Sequence, residues 1–251
     1  MSLTSAPVVV VNADDLGQAP QVTEGILRAH RRGIVTSASL MVRWPAAGDA
    51  AREAATCPRL SVGLHIDLGE WRNGPAGWEK IYSVVDEQDE AEVRAEVARQ
   101  LRRFRELVGR DPTHLDSHQH VHRREPVRSI VLEVGASLGV PVRHYSRFGY
   151  QGAFYGQTED GHPHPSGITE ERLGSILRAL NPGFWELACH PAAGPLAESM
   201  YSQERLQELA TLTSARVRRA VAESSIRLLS FEEAGALIVS EAPTTPEETW
   251  D

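Results

Sequence analysis

Cysteines, long apolar runs and blocks of basic residues are rare or missing in the 251-residue sequence, and each absence excludes a class of protein. Two cysteines, Cys57 and Cys189, are too few for a disulfide framework, so a reducing cytoplasm is the expected compartment. No apolar run approaches the ~20 residues of a membrane-spanning helix, and Met1–Pro7 lacks the basic and apolar regions of a signal peptide. The net charge of −8 includes no basic block, which argues against nucleic acid as a partner.

The composition is that of one folded domain. A hydrophobic fraction of 41% is enough to fill the core of a single α/β domain of this length. The sequence has no internal repeat and no sign of a second domain. We therefore interpret residues 1–240 as one domain and the acidic, proline-containing segment 241–251 as a disordered tail.

Short strand-like runs alternate with amphipathic segments along the chain, which is typical of parallel β/α folds. The first run, Val8–Val11, is continuously apolar, as expected for a parallel strand that is covered on both faces. The other predicted strands are Thr36–Val42, Ser61–Asp67, Thr113–Ser117, Val140–Tyr145, Phe184–Cys189 and Ile226–Phe231. The predicted helices are Pro20–Arg32, Ala46–Ala55, Gln88–Val108, Pro126–Leu138, Glu170–Leu180 and Ser202–Ala222.

An open doubly wound sheet and a barrel share this alternation, and the polar residues favour the barrel. Polar side chains close or follow the predicted strands at their carboxyl ends: Asp14, Asp15, His65, Asp67, Asp116, His118, Arg143, His144 and His190. In a barrel those ends meet at one mouth, where such enzymes have their catalytic groups. An open sheet would spread them along an edge. We therefore predict an α/β fold with a (β/α) barrel that is irregular or seven-stranded.

Two long segments, Gly69–Tyr82 and Gly149–Gly167, follow strand ends and are predicted as loops. Long loops in compact domains are often lids or binding loops, so we interpret both as rims of a substrate cleft. Their aromatic residues include Trp71, Trp78, Phe154 and Tyr155. These rings can stack on a ligand, and hydrophobic anchoring of the loops explains them equally well.

The densest chemical signal is His114–His122, where four histidines and an aspartate fall within nine residues. In an extended segment His118, His120 and His122 point the same way, and in a helix His118 and His122 share a face. Either geometry directs two imidazoles at one point. This favours metal binding or catalysis over a polar surface loop.

Three other segments carry residues of the same chemical type. Asp14 and Asp15 are adjacent at the exit of a buried strand, where two carboxylates repel each other unless a cation binds one of them. The other is then available as a base; the alternative is that one of them caps the next helix. His65 shares a strand face with Asp67, and His190 ends a strand before a proline. Oxygen and imidazole ligands suit Zn²⁺, Mn²⁺, Co²⁺ or Fe²⁺ better than Mg²⁺.

Taken together, these segments resemble the YdjC-like carbohydrate deacetylases, the family of chitooligosaccharide deacetylases. The similar segments are Val11–Gly17, Gly33–Ser37, Gly63–His65, Pro112–His122, Ala153–Gly156 and Glu186–Pro191. They lie in the family's order between residues 8 and 191. The first and fourth of them are the specific ones, and the others are supportive.

The resemblance implies a (β/α) barrel related to polysaccharide deacetylases, with one divalent metal ion (Mg, Zn, Mn or Co). It implies Asp15, His65 and His118 as the metal ligands, with Asp14 as catalytic base and His190 as general acid. The implied reaction removes acetyl groups from N-acetylated sugars or glycoconjugates. A cytoplasmic enzyme is expected, with a homodimer as its assembly.

Further residues are candidates for orienting these groups or for contacting the substrate: Asp116, His120, His122, Arg143, Trp71, Phe154 and Tyr155. Two other hypotheses stay open. The chain can be a metal-dependent hydrolase of another amide or of a phosphoester, although it has no glycine-rich phosphate loop. It can also be a non-catalytic sugar-binding homologue, although the presence of both Asp14 and His190 disfavours that.

Overall fold

A curled parallel sheet forms the centre of the computed structural model, which describes residues 5–74, 77–196 and 199–240. The strands are β1 (Pro7–Leu16), β2 (Ser37–Leu40), β3 (Ser61–Ile66), β4 (Gly69–Gly74), β5 (Gly77–Ser83), β6 (Leu115–Ser117), β7 (Gly149–Gln151), β8 (Gly183–Cys189) and β9 (Arg227–Leu228). Seven of them form the main sheet in the order β6-β3-β2-β1-β8-β7, with β9 paired to the start of β1. Every pairing in this sheet is parallel.

Helices cover the sheet and fill most of the connections between its strands. They are α1 (Pro20–Arg32), α2 (Ala47–Ala54), α3 (Glu90–Val108), α4 (Val127–Leu138), α5 (Glu170–Arg178), α6 (Gln203–Thr213), α7 (Ala215–Ala222) and α8 (Phe231–Ser240). Short 3-10 turns cover His118–Arg123 and Pro165–Ile168. No helix within the described ranges is long and apolar enough to cross a bilayer.

One side chain shows how far the sheet curls. Three strands separate β6 from β8 in the sheet order, so a flat sheet would place them about 19 Å apart. The Arg143 guanidinium nevertheless lies 2.8 Å from Asp116 on β6 and 2.6 Å from Glu186 on β8. The carboxyl ends of the strands therefore meet, and the predicted barrel-like fold is confirmed.

The inward face of β1 changes from apolar to polar along the strand. Val8 and Val10 pack with Phe148, Phe184 and Phe231 in a small buried cluster. The next residues of the same parity, Asn12 and Asp14, hydrogen-bond to each other farther along the strand. The amino-terminal end of the curled sheet is therefore filled with hydrophobic side chains, and its carboxyl end holds the polar groups.

Several predicted elements differ from the structure. The predicted strand Val140–Tyr145 makes one isolated bridge, between Leu115 and Val142. The predicted loop Gly69–Tyr82 is an antiparallel hairpin of β4 and β5, separate from the main sheet. The predicted helix Ser202–Ala222 breaks into α6 and α7 at Ser214, whose side chain accepts a hydrogen bond from the Arg216 N–H at 3.1 Å.

Near the carboxyl end, the predicted strand Ile226–Phe231 is shortened to β9, because Phe231 already begins α8. The second predicted loop, Gly149–Gly167, contains β7 and part of a 3-10 turn. The predicted disordered tail, 241–251, lies outside the described residues.

The start of α3 offers a direct test of the local structure. Asp89 accepts hydrogen bonds from the N–H groups of Ala91 and Glu92 at 2.9 and 3.1 Å. Asp89→Ala should therefore lower the free energy of unfolding by about 1 kcal/mol, the usual cost of losing an N-cap. Urea denaturation measures this. Glu106→Ala is the control, since this exposed carboxylate on the same helix pairs only with Arg103 and should cost at most about 0.5 kcal/mol. Equal urea midpoints for Asp89→Ala and the wild type would contradict the role of Asp89 as the N-cap.

Candidate metal centre and active site

A bulge near the end of β1 presents two consecutive carboxylates to the same cavity. Side chains alternate along a regular strand, so Asp14 and Asp15 would ordinarily lie on opposite faces. The pairing of β1 with β2 shifts register between Ala13 and Leu16, and Asp15 has a φ of +69°. Both carboxylates therefore line the cavity. Neither caps α1, whose N-cap is Ala19.

The three residues implied as metal ligands lie together. Asp15 Oδ1 is 3.2 Å from His65 Nε2 and 3.3 Å from His118 Nδ1. One donor atom from each of the three residues lies within 4.8 Å of the others. Asp15 comes from β1, His65 from β3 and His118 from the turn after β6. The cluster is compatible with a metal site.

The donor atoms also fit a divalent cation chemically. Atoms bound to one cation at about 2.0–2.2 Å are about 3.0–3.5 Å from each other, and both contacts of Asp15 fall in that range. Asp15 Oδ1 is buried and accepts no hydrogen bond from the described residues, although two imidazole nitrogens face it. One carboxylate oxygen and two imidazole nitrogens suit zinc, manganese or cobalt.

Asp116 on β6 orients His65. Its Oδ1 lies 2.7 Å from His65 Nδ1, so it accepts the proton of that nitrogen and leaves Nε2 facing Asp15. A carboxylate behind a ligating imidazole fixes the ring and its tautomer. Asp14, His65 and Asp116 form a second close group, but Arg143 pairs with both of its carboxylates. This second group therefore supports the first one and leaves no carboxylate free for a cation.

Arg205 on α6 holds the second oxygen of Asp15. Its Nη2 donates to Asp15 Oδ2 at 2.6 Å, which leaves Oδ1 facing His65 and His118. Burial alone would raise the pKa of Asp15, but Arg205 and the two imidazoles outweigh it and hold the pKa well below its ordinary value. Asp15 is therefore an ionised carboxylate with one oxygen directed at the two imidazoles.

Both imidazoles of the cluster lie in a field of negative charge. Burial lowers the pKa of His65, but Asp116 and Asp15 outweigh burial and hold the pKa well above its ordinary value. Burial also lowers the pKa of His118, and Asp15 reverses that shift. The cluster therefore attracts positive charge, for which protons and a metal cation compete.

Asp14 lies beside the cluster and is held by Arg143. The two terminal nitrogens of Arg143 donate to the two oxygens of Asp14 at 2.7 and 2.8 Å, and Asn12 Nδ2 donates to Asp14 Oδ1 at 2.8 Å. Burial raises the pKa of Asp14, but Arg143 outweighs burial, so the pKa lies below its ordinary value. Asp14 is therefore an ionised carboxylate in a fixed orientation, and it is able to accept a proton.

His190, at the end of β8, lies between two carboxylates. Its Nε2 is 3.7 Å from Asp14 Oδ2, and its Nδ1 is 3.8 Å from Glu208 Oε1. The backbone N–H of His190 donates to the other Glu208 oxygen, and the Tyr201 hydroxyl donates to Oε1. The His190 side chain is 20% exposed, so a ligand in the cavity can reach it. Glu208 on α6 thus fixes the backbone of His190 and lies behind its ring.

The turn after β6 has an unusual backbone next to the ligand His118. Gln119 and His120 have φ angles of +50° and +54°, a region that costs a non-glycine residue about 1–2 kcal/mol. The Gln119 amide bonds both backbone groups of Trp71: it accepts from the N–H at 2.8 Å and donates to the carbonyl at 2.7 Å. The turn therefore connects His118 of the candidate metal cluster to the β4–β5 hairpin.

A cavity of about 550 Å³ opens over these groups, which is a usual size for a small-ligand site. Its wall includes all five residues predicted for metal binding and catalysis: Asp14, Asp15, His65, His118 and His190. Among the predicted substrate contacts, His120 and Tyr155 also line it. Tyr155 is 37% exposed and stacks on Tyr201 with 4.6 Å between ring centroids.

The other predicted substrate contacts support the site from behind or from the side. Phe154 reaches the cavity wall but is 1% exposed, and it packs in the core. His122 is fully buried, and its ring nitrogens bond the Ser117 hydroxyl and the Arg143 carbonyl. Arg143 itself is buried against Asp14 and so cannot reach a ligand. Of the two hairpin tryptophans, Trp78 lines the cavity and Trp71 does not.

His114, the first histidine of the dense cluster, belongs to the core. Its ring stacks on Phe231 with centroids 4.1 Å apart, and burial lowers its pKa to about 4. Gly63 on β3 makes room for the ring, because a Cβ there would lie 2.3 Å from an imidazole carbon. His114 is therefore a neutral structural residue, in contrast to His118.

Arg205 and Glu208 are functional residues that sequence reasoning missed. Charged residues on a helix usually face solvent, yet both of these are buried against the site. Their spacing in the sequence could have indicated that they are buried. One face of α6 holds Arg205, Glu208 and the buried Leu209 and Leu212.

The sequence model of the YdjC-like protein family matches residues 8–223. The chain belongs to the YdjC-like family. Two relatives are each 34% identical to this YdjC-like protein over 89% of its length. One is a chitooligosaccharide deacetylase of Salmonella schwarzengrund (strain CVM19633), of which 98% is covered, and the other is a carbohydrate deacetylase of Geobacillus stearothermophilus, of which 96% is covered.

Solved structures share the fold of this YdjC-like protein. A candidate cellobiose-phosphate cleavage protein of Enterococcus faecalis has a TM-score of 0.74 and 25% identity, with 92% of this chain and 99% of that chain covered. A peptidoglycan N-acetylglucosamine deacetylase has a TM-score of 0.55 at 11% identity, with 90% of this chain and 91% of that chain covered. The second likeness extends the shared fold to polysaccharide deacetylases.

Metal content tests the cluster in this YdjC-like protein. Asp15→Ala, His65→Ala and His118→Ala should each lose the divalent metal that the purified wild type retains, because each removes one of three donors. Asp116→Ala should weaken metal affinity about 10–100-fold, since it frees the ligand ring of His65 to rotate. Elemental analysis after dialysis against zinc measures both effects.

The control for metal content is His162→Ala, which removes an exposed histidine outside the cluster. It should bind metal like the wild type. Wild-type metal content in the His65→Ala variant would show that the cluster is not the binding site.

Proposed function

We propose that this protein is a metal-dependent hydrolase that removes acetyl groups from N-acetylated sugars. The observation that carries the proposal is that Asp14 and His190 line one cavity with 3.7 Å between Asp14 Oδ2 and His190 Nε2, next to the Asp15, His65 and His118 cluster. The names of the two relatives, a chitooligosaccharide deacetylase and a carbohydrate deacetylase, support the substrate class. The cavity is large enough for a small saccharide.

The cluster of Asp15, His65 and His118 would hold one divalent cation, with Zn, Co, Mn and Mg as the candidates. When bound, such a cation polarises the acetamide carbonyl and lowers the pKa of water. Arg205 keeps Asp15 ionised and turned toward the imidazoles. Asp116 keeps Nε2 of His65 directed at the same point.

Asp14 takes a proton from the attacking water. Its pKa is lowered by Arg143 in spite of burial, so the carboxylate is ionised and free to act as a base at neutral pH. Its two contacts with Arg143 and its bond from Asn12 fix it in one orientation. Orientation of this kind contributes to rate because the proton acceptor is already in place.

His190 delivers a proton to the nitrogen of the departing sugar amine. Its Nε2 faces the cavity on the side of Asp14, and Glu208 lies behind Nδ1. Because Asp14 Oδ2 and His190 Nε2 are 3.7 Å apart, the base and the acid can both reach the same scissile bond. An amine leaves poorly without this proton, which makes the acid as important as the base.

The cytoplasmic location and the homodimer belong to this proposal and stay predictions. Cys57 and Cys189 are both free and buried, which supports a reducing compartment. Size-exclusion chromatography with light scattering measures the assembly.

Acetate release tests the reaction itself. The wild type should release acetate from N-acetylglucosamine oligomers, lose the activity on chelation and regain it when zinc, cobalt or manganese is added. Asp14→Asn should lower kcat by about 10²–10⁴-fold because it removes the base, and its metal content should stay at the wild-type level. Full activity after complete chelation would contradict the proposal, and release of phosphate but not acetate would favour the phosphoester hypothesis.

The role of His190 is tested with two leaving groups. His190→Ala should lower kcat on N-acetylglucosamine oligomers by about 10²–10⁴-fold. It should have a much smaller effect on 4-nitroacetanilide, whose weakly basic amine leaves without protonation. His164→Ala, which removes another histidine from the cavity wall, is the control. It should lower the rate on either substrate much less than His190→Ala lowers the rate on the oligomers. Equal losses on the two substrates would show that His190 is not the general acid.

A further inference from the structure

Glu70 is a carboxylate of the cavity wall that takes no part in the chemistry above. It lies on β4 and lines the cavity with Asp15 and His118. Asp14 and Asp15 each pair with a buried guanidinium. Within residues 5–74, 77–196 and 199–240, by contrast, the Glu70 carboxylate makes no hydrogen bond or ion pair. It is therefore an acceptor that a ligand can use.

The hairpin holds the backbone of Glu70 in place from both sides. The next residue, Trp71, is bonded through both backbone groups to Gln119. Tyr82 lies opposite Glu70 in the β4–β5 register, and its hydroxyl donates to Asp67 Oδ1 at 2.9 Å. The backbone of Glu70 is thus fixed before a ligand arrives, which reduces the entropy cost of binding.

The environment of Glu70 favours a hydrogen-bond donor from the ligand. The residue is half-buried, and an ionised carboxylate that loses water without gaining a partner is costly. Burial raises the pKa of Glu70; among its charged neighbours, His118 and Arg205 lower the pKa, and Asp15 and Asp67 raise it. Hydroxyl and ammonium groups of a ligand offset this cost, whereas a second anion beside Glu70 increases it.

Trp78, from the same hairpin, adds an aromatic surface to the same cavity. Its side chain is 51% exposed and lines the wall. An aromatic ring and a polar acceptor in one cavity suit a sugar, which has an apolar ring face and hydroxyl groups at its edge. The hairpin therefore offers both surfaces that a saccharide unit needs.

We propose that Glu70 determines saccharide specificity, an inference that rests on the deacetylase function proposed above. Its carboxylate accepts hydrogen bonds from hydroxyl or ammonium groups of the sugar unit that Trp78 covers. It excludes saccharides that carry an anionic substituent at that position.

Steady-state kinetics of Glu70→Ala test the proposal. KM for N,N′-diacetylchitobiose should rise at least about tenfold, as expected for a lost hydrogen bond to a charged group, with kcat within about threefold of the wild type. Both constants for 4-nitroacetanilide, which has no sugar hydroxyls, should stay unchanged. The matched control is Glu79→Ala, a carboxylate of the same hairpin that pairs with Arg72 outside the cavity; it should leave KM unaltered.

Glu70→Gln tests the charge separately. This variant keeps an acceptor oxygen but removes the negative charge. Its kcat/KM for the disaccharide of N-acetylglucosamine and N-acetylmuramic acid, which carries a carboxylate, should rise relative to that for neutral N,N′-diacetylchitobiose. An unchanged ratio would overturn the exclusion of anions.

Two results would overturn the role of Glu70 in saccharide binding. A loss of kcat on both substrates together with a loss of metal would make Glu70 part of the metal centre, and an unaltered KM for the disaccharide would make it a passive wall residue.

If the wild type releases no acetate from any substrate, the proposed function fails. Calorimetric binding of N,N′-diacetylchitobiose to the wild type and to Glu70→Ala then tests Glu70 by itself, and equal affinities overturn its role.

Discussion

The pairing of one buried guanidinium with three carboxylates is the interaction on which the rest of the site depends. Arg143 contacts Asp14 on β1, Asp116 on β6 and Glu186 on β8. These contacts require three strand ends to lie within reach of one side chain, so the curl of the sheet and the geometry of the site have the same cause. A buried ion that loses its partner costs several kcal/mol. Arg143 therefore makes it possible for carboxylates to remain charged at the end of a hydrophobic barrel.

The charges around the two guanidiniums do not balance. Asp14, Asp116 and Glu186 face Arg143, and Asp15 faces Arg205, so four carboxyl groups meet two guanidinium groups. Burial raises the pKa of Glu186 to about 7 even though Arg143 lowers it, and the other carboxylates add to the rise. The raised pKa values of the two cluster histidines have the same origin. A divalent cation bound where the imidazoles and Asp15 meet would supply positive charge to this group.

The chemical core of this arrangement could be predicted from the sequence, and its supports could not. Asp15, His65 and His118 can be recognised by their residue type and by their position at strand ends. Both features can be read from the sequence. The hairpin was missed because two strands alone are marginally stable, and here Gln119 and Asp67 hold them from outside the segment. Long-range contacts of this kind leave no local pattern. Arg205 and Glu208 were missed for the same reason, since their partners are distant in the sequence.

The structure separates the part that does the chemistry from the part that meets the rest of the ligand. The floor of the cavity is built on parallel strands, and its charged groups hold one another in place. The β4–β5 hairpin forms a sheet of its own, and Gln119 and Asp67 are among the residues that connect it to the floor. Loss of Arg143 would remove contacts to three strand ends at once, whereas the hairpin lies outside this group of ions.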